Sequence, residues 1–228
     1  MKALKICGIA MLLTAATAYA IDGVVLKYVY KKDAVTKTRI KGTIDVQGME
    51  ITVTLLNQAK VLSVAEDGTA TVEDKTLEGK FSMNGQEQEM PETPTFTMIM
   101  KPNGEIKEIK GQDVSEGMYR VQNLTAFIPP KEAIQVGSKW KNEVPANKET
   151  KAPGYKAEYS VLADENGSLK IQAKTMETEG SDPASMEGTL WIDKANCDIV
   201  KSSMKWNNVP SPGVPFPISG TFTSERVK

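Results

Sequence analysis

Three pairs of turn residues constrain this chain more than any other feature. Asp67-Gly68 separates residues 61–65 from 69–73, Asn103-Gly104 separates 96–101 from 105–109, and Asn166-Gly167 separates 155–162 from 168–175. Asn-Gly and Asp-Gly tolerate the positive φ that a tight hairpin requires, and strands joined by so short a turn run antiparallel. β-Branched and aromatic residues recur in 24–30, 36–46 and 50–56, as a half-buried pleated surface demands. Residues 189–193 and 199–206 make a further hairpin across Lys194-Ala195-Asn196-Cys197, and 218–226 reads as a closing strand. The pattern predicts a mainly β chain of about eleven antiparallel strands.

Helical periodicity is confined to 114–126, where Met118, Val121 and Leu124 or Thr125 share one face. Asp113 or Ser115 is the expected cap, and Pro129-Pro130 the stop. A second short turn is expected at 131–135. The stretch 127–140 bridges two β-rich halves, so 21–228 reads as one β-rich domain divided into two halves near 127–140. The polar segment 144–156 reads as a loop. Residues 207–220 carry Pro210, Pro212, Pro215 and Pro217, which removes ladder donors and marks an excursion before the last strand.

The first twenty residues have the three-part layout of a secretory leader. Lys2 and Lys5 form a basic head, 6–16 is apolar and small, and Ala18-Tyr19-Ala20 presents small residues to a signal peptidase. Cleavage after Ala20 is expected, with export to the periplasm or the outside of the cell. Cys7 precedes completion of the apolar run and lies behind Leu4-Lys5-Ile6, a poor lipid-attachment context.

Composition then excludes function classes. The chain holds 28 Lys and Arg against 29 Asp and Glu. Loss of Lys2 and Lys5 with the leader leaves a mildly acidic protein, without the basic face that nucleic acid demands. After the leader, no apolar run reaches transmembrane length. Of two cysteines only Cys197 survives cleavage, so no internal disulfide forms and the expected state is an inert thiol. There is no histidine, which removes Ser-His and Cys-His nucleophile systems and the commonest metal ligand. Acid pairs such as Glu177 and Glu179, or Glu87 and Glu89, read as solvated strand faces rather than catalytic carboxylates. No Gly-rich phosphate loop and no calcium loop of the expected spacing occurs. The expectation is a protein that is not an enzyme, with no cofactor and no metal.

Two strands present large apolar residues on a shared face. Phe96, Met98 and Met100 alternate with Thr97, Ile99 and Lys101, while Met204 and Trp206 alternate with Ser203 and Lys205. Met186, Leu190 and Ile192 make a third set, and Met118 lies on the helix face shared with Val121 and Leu124 or Thr125. These eight, Phe96, Met98, Met100, Met118, Met186, Leu190, Met204 and Trp206, are the candidate ligand-binding residues, because methionine adapts its shape to variable apolar ligands. The competing reading is the packed inner face of an antiparallel sheet. Trp140 and Trp191 are read as packing residues, Trp191 on the more polar face with Glu187, Thr189 and Asp193.

A proline-containing segment followed by Val136-Gly137-Ser138-Lys139-Trp140 resembles an element of secreted bacterial proteins of unknown function, in which a "P…VGxxW" stretch precedes a second set of strands. The later strand–Asp–turn–strand element, Trp191-Ile192-Asp193 to Ile199-Val200, is also similar, with Asn196-Cys197 where that family has glycine. The order of many strands around a central helix resembles the half-open barrels of lipoprotein carriers of the LolA and LppX type. That resemblance implies a strongly curved sheet or half-open barrel with one short helix packed on the concave face, whose apolar concavity holds acyl chains. Two functions stand as expectations. One is an exported carrier or binding protein for lipid or acyl chains. The other is an envelope interaction or structural protein whose core is filled by its own side chains, with another envelope protein as partner.

Overall fold

The computed structural model describes residues 23–46, 48–111, 114–210 and 216–227. The expected leader and its cleavage point lie outside them. Twelve strands run in the order β1 (Val35–Val46), β2 (Met49–Val64), β3 (Ala70–Met83), β4 (Gln86–Glu89), β5 (Phe96–Met100), β6 (Ile106–Gly111), then β7 (Lys139–Val144), β8 (Tyr155–Glu165), β9 (Ser168–Glu177), β10 (Ser185–Asp193), β11 (Ile199–Val209) and β12 (Ile218–Val227). One helix, α1 (Glu116–Thr125), separates the two sets of six.

All strands belong to one antiparallel sheet with the path β6-β5-β3-β2-β1-β12-β11-β10-β9-β8-β7, and β4 adds to β3 off this path. Each half is a meander of neighbouring strands, and the pairing of β1 with β12 joins them, from Lys37 opposite Val227 to Asp45 opposite Ser219. The sheet is not closed: β6 and β7 are its two edges.

The sheet is strongly curved. Eight steps along the path separate β6 from β9, which in a flat sheet is about 38 Å at ~4.8 Å per strand. A ten-residue helix is only about 15 Å long. Yet α1 touches both strands: the Tyr119 hydroxyl bonds the backbone of Ile109 on β6, and Arg120 bonds Glu177 on β9. The two arms therefore bend around the helix, which lies on the concave face. Ser115 caps it, accepting from Met118 N–H at 3.3 Å, and Leu124 is buried against Met186, Val209 and Ile218.

One rim of the concavity is crossed by residues 23–30. Val24 bridges Ile134, Val29 N–H reaches Asn196 O, and Asp33 N–H reaches Val61 O. Leu26 on this strap is buried among Leu169, Ile192 and Cys197. Near the same rim the Tyr28 hydroxyl donates to Phe127 O at 2.7 Å. Gly104, at φ +86°, turns the β5–β6 hairpin beneath Tyr28, where any Cβ would overlap the tyrosine ring. At the opposite rim Gly117 of α1 lies beside Pro210, just past the end of β11.

Several expected elements differ. Residues 24–30 alternate correctly, with Leu26, Tyr28 and Tyr30 turned inward, but only Val24 makes a bridge, because the strap crosses strand ends instead of lying beside a strand. The segment 131–135 forms no helical turn; Ile134 is spent on the bridge to Val24. Residues 50–56 and 61–64 are parts of one strand, β2, whose polar middle Asn57-Gln58 conceals its continuity. β4 and β7 are additional. β7 alternates exposed Lys139, Lys141 and Glu143 with half-buried Trp140, Asn142 and Val144, an edge pattern with little apolar signal.

Candidate functional site

Strand register assembles the concave face. Met204 pairs with Phe222, Phe222 with Gly42, Gly42 with Val53, and Val53 with Phe81. Further along β2, Val61 pairs with Val72, Val72 with Met98, and Met98 with Ile109. In the other direction Trp206 pairs with Met186, and Leu190 with Ile171. Directly paired residues point to one side of a sheet. Seven of the eight candidate residues thus share one continuous face, and Met118 stands on the helix packed against it.

Their burial divides them. Met186 and Leu190 are buried, at 1% and 6% exposure, and belong to the two packed cores. Phe96, Met98, Met100, Met118, Met204 and Trp206 are half-buried. Sequence reasoning missed Ile40, Ile44, Val53, Leu55 and Phe81, which are half-buried on the same face. Their two-residue alternation was the available signal, without the methionines that drew attention to β5.

The two halves of the concavity are filled unequally. Over β8, β9 and β10 the chain packs Leu26, Phe127 and Ile134 against Tyr159, Val161, Ile171 and Ile192. Phe127 meets Tyr159 edge-on at 5.2 Å, and Trp140 stacks on Tyr159 at 4.9 Å while donating its indole N–H to Ile128 O. On the first six strands the buried apolar residues are Ala70, Val72 and Ile109. At the junction, Trp206 stacks on Phe222 at 4.1 Å, and the Phe222 ring lies in the space left by the missing side chain of Gly42.

Two clefts open at the rims. One, about 610 Å³, lies between the free edges, bordered by Ile106 and Lys107 of β6, Glu143 and Val144 of β7, Tyr155 and the loop 145–154. The other, about 580 Å³, is lined by Glu116, Arg120, Lys148, Lys151, Glu177 and Asp182, among others. None of the eight candidate residues lines either cleft. The 145–154 segment, which reads as a plain loop in the sequence, borders both.

Buried polar chemistry lies where sequence reasoning placed a solvated surface. Glu177 is only 2% exposed. Its carboxylate accepts from Arg120 Nε at 2.6 Å, from Arg120 Nη2 at 2.7 Å and from Ala184 N–H at 2.8 Å. This pair holds the helix to β9, so Glu177 is structural, unlike exposed Glu179 and the exposed Glu87 and Glu89, which flank Lys80. Near the strap, Arg226 bonds Asp198 at 2.8 Å. Burial raises the Asp198 pKa, with Arg226 opposing. Burial also pushes the Cys197 thiol up to about 12, which makes it a poor nucleophile. Trp191 is half-buried between the ammonium groups of Lys170 and Lys201, with its N–H on Glu165.

One carboxyl stands on the open half of the concave face. Asp74 of β3 pairs with Ala59 and Phe96, and burial alone raises its pKa from 3.8 to about 6. Among the described residues no group of three or more acidic or cysteine side chains is placed to hold a metal ion, and no helix is long and apolar enough to cross a membrane. No protein-family model matches the chain, and no curated protein matches it.

Proposed function

We propose that this is an exported, non-enzymatic binding protein that carries lipid or acyl chains on the concave face of its open sheet. One observation carries the reading. Phe96, Met98, Met100, Val53, Leu55 and Phe81 point into the concavity yet are only half-buried, while the larger packed core lies over the other half, on β8–β10. Covering such side chains yields about 25 cal/mol per Å² of apolar surface, and methionine side chains adapt to chains of differing shape. Export rests on the leader-like first twenty residues.

Native mass spectrometry of protein purified from its own cell envelope tests this directly. A co-purified lipid adduct, together with enhanced emission of N-phenyl-1-naphthylamine on titration with delipidated protein, is the expected result. A protein with neither adduct nor probe uptake is instead an envelope interaction or structural protein. The self-filled packing over β8–β10 favours that second reading.

A further inference from the structure

We infer that Asp74 is the polar anchor of the concave face and selects amphiphiles whose head is a primary ammonium group. The inference rests on the carrier reading and adds the chemistry of the ligand head.

Asp74 stands in the middle of β3 on the concave side. Along its own strand its same-face neighbours are Val72 and Thr76. Ala59 stands opposite on β2 and Phe96 opposite on β5, with Asn57, Val61 and Met98 at the diagonals. Glu73 and Lys75 alternate to the other face of the sheet. Thr76 gives its hydroxyl hydrogen to Asn57 Oδ1 at 3.2 Å, so that donor is already engaged. Among the described residues no cation pairs with the Asp74 carboxylate.

A carboxylate in such surroundings loses hydration and gains no counter-charge. A cation brought by the ligand supplies the missing counter-charge. Phe96, Met98 and Met100 then extend from the carboxylate along β5 for about 13 Å, an apolar track beside a single charge. A chain laid on Met98 and Met100 brings its head to Asp74. An anionic head in that place meets an unpaired carboxylate at close range and is repelled, whereas an ammonium forms a partly desolvated, charge-assisted hydrogen bond.

The test compares three ligands of equal chain length, dodecylamine, dodecanol and dodecanoic acid, by calorimetric titration at neutral pH below their aggregation concentrations. The amine is expected to bind at least about tenfold more tightly than the acid. Asp74→Asn is expected to reduce the amine to the affinity of the alcohol while leaving the alcohol unchanged. Equal binding of amine and acid by the unaltered protein, or an amine preference that survives Asp74→Asn, overturns the inference and leaves the carrier reading standing. Binding of none of the three overturns both.

Discussion

Arg120 grips Glu177 with two near-equal hydrogen bonds, 2.6 and 2.7 Å, and that fork is the strongest polar tie between helix and sheet. The glutamate is almost wholly buried and the arginine partly exposed, so the two partners are not equivalent. Removing the arginine strands a buried carboxylate. Arg120→Ala is expected to cost about 3 kcal/mol. Glu177→Gln leaves an arginine that water can reach, and the expected loss is about 1–2 kcal/mol. Urea unfolding of both variants checks the order. Equal losses, or a smaller one for Arg120→Ala, contradict the assignment.

Tyr119 protects an edge. Its hydroxyl accepts from Ile109 N–H at 3.0 Å and donates to Ile109 O at 3.3 Å, occupying the backbone groups that edge strand β6 would otherwise offer to another strand. Tyr119→Phe is expected to lose about 1 kcal/mol and to speed amide exchange at Ile109. Unchanged protection of that amide would remove the edge-blocking role.

Gly42 makes room for an aromatic stack. A Cβ there overlaps the Phe222 ring, which stacks on Trp206. Gly42→Ala is expected to destabilise by about 1–3 kcal/mol and to shift tryptophan emission as the stack is displaced. A stable variant with native emission means that the ring moves freely, and the junction is then less tightly packed than described.

Asp74 sets a pH dependence of definite sign. Its folded pKa, about 6, lies above its unfolded value of 3.8. The folded state therefore holds this proton more tightly, and the contribution to stability is fully present below pH 3.8 and is lost as pH rises through about 6. For a half-exposed group the contribution is about 1–2 kcal/mol after allowance for screening. The stability of Asp74→Asn relative to the unaltered protein should rise by that amount between about pH 3.8 and neutral pH. A difference flat with pH shows that the carboxyl is hydrated in the folded protein.

The methionines of the open face are testable as a pair. Met98 and Met204 are half-buried on one face, on strands β5 and β11. Replacing both with Glu introduces two charges where an acyl chain would lie, and uptake of N-phenyl-1-naphthylamine should fall by an order of magnitude or more. Circular dichroism establishes whether the variant is folded. Undiminished uptake by a folded variant takes these two residues out of the binding face.

Legibility in the sequence followed how local each signal was. The hairpins at Asn166-Gly167 and Asn103-Gly104 were readable because turn chemistry acts over two residues. The helix was readable from its periodicity and its Ser115 cap. β2 was read as two strands because Asn57 belongs to a polar pair with Thr76, and the ladder continues through a bulge there. The strap at 24–30 was mistaken for a strand because inward alternation arises equally from a ladder or from a segment laid over a core. The face shared by Phe96, Met98, Met100, Met204 and Trp206 was legible strand by strand. That they form one surface depends on the β1–β12 junction, which no local pattern encodes. Glu177 was misread for a related reason: its partner Arg120 lies far away in sequence, and only the curled sheet brings them together.

The junction of β1 with β12 has a consequence for assembly. Among the described residues the first strand, β1, and the last, β12, are neighbours, so the centre of the sheet is made from segments far apart in sequence. A nascent chain can zip each meander as it emerges, but until the final strand arrives β1 stays a bare margin, open to pairing with any other unfinished copy. Contacts so distant in sequence close slowly. Such a molecule cannot sew its halves together before β12 has emerged, and its most vulnerable moment is the interval before that last stitch.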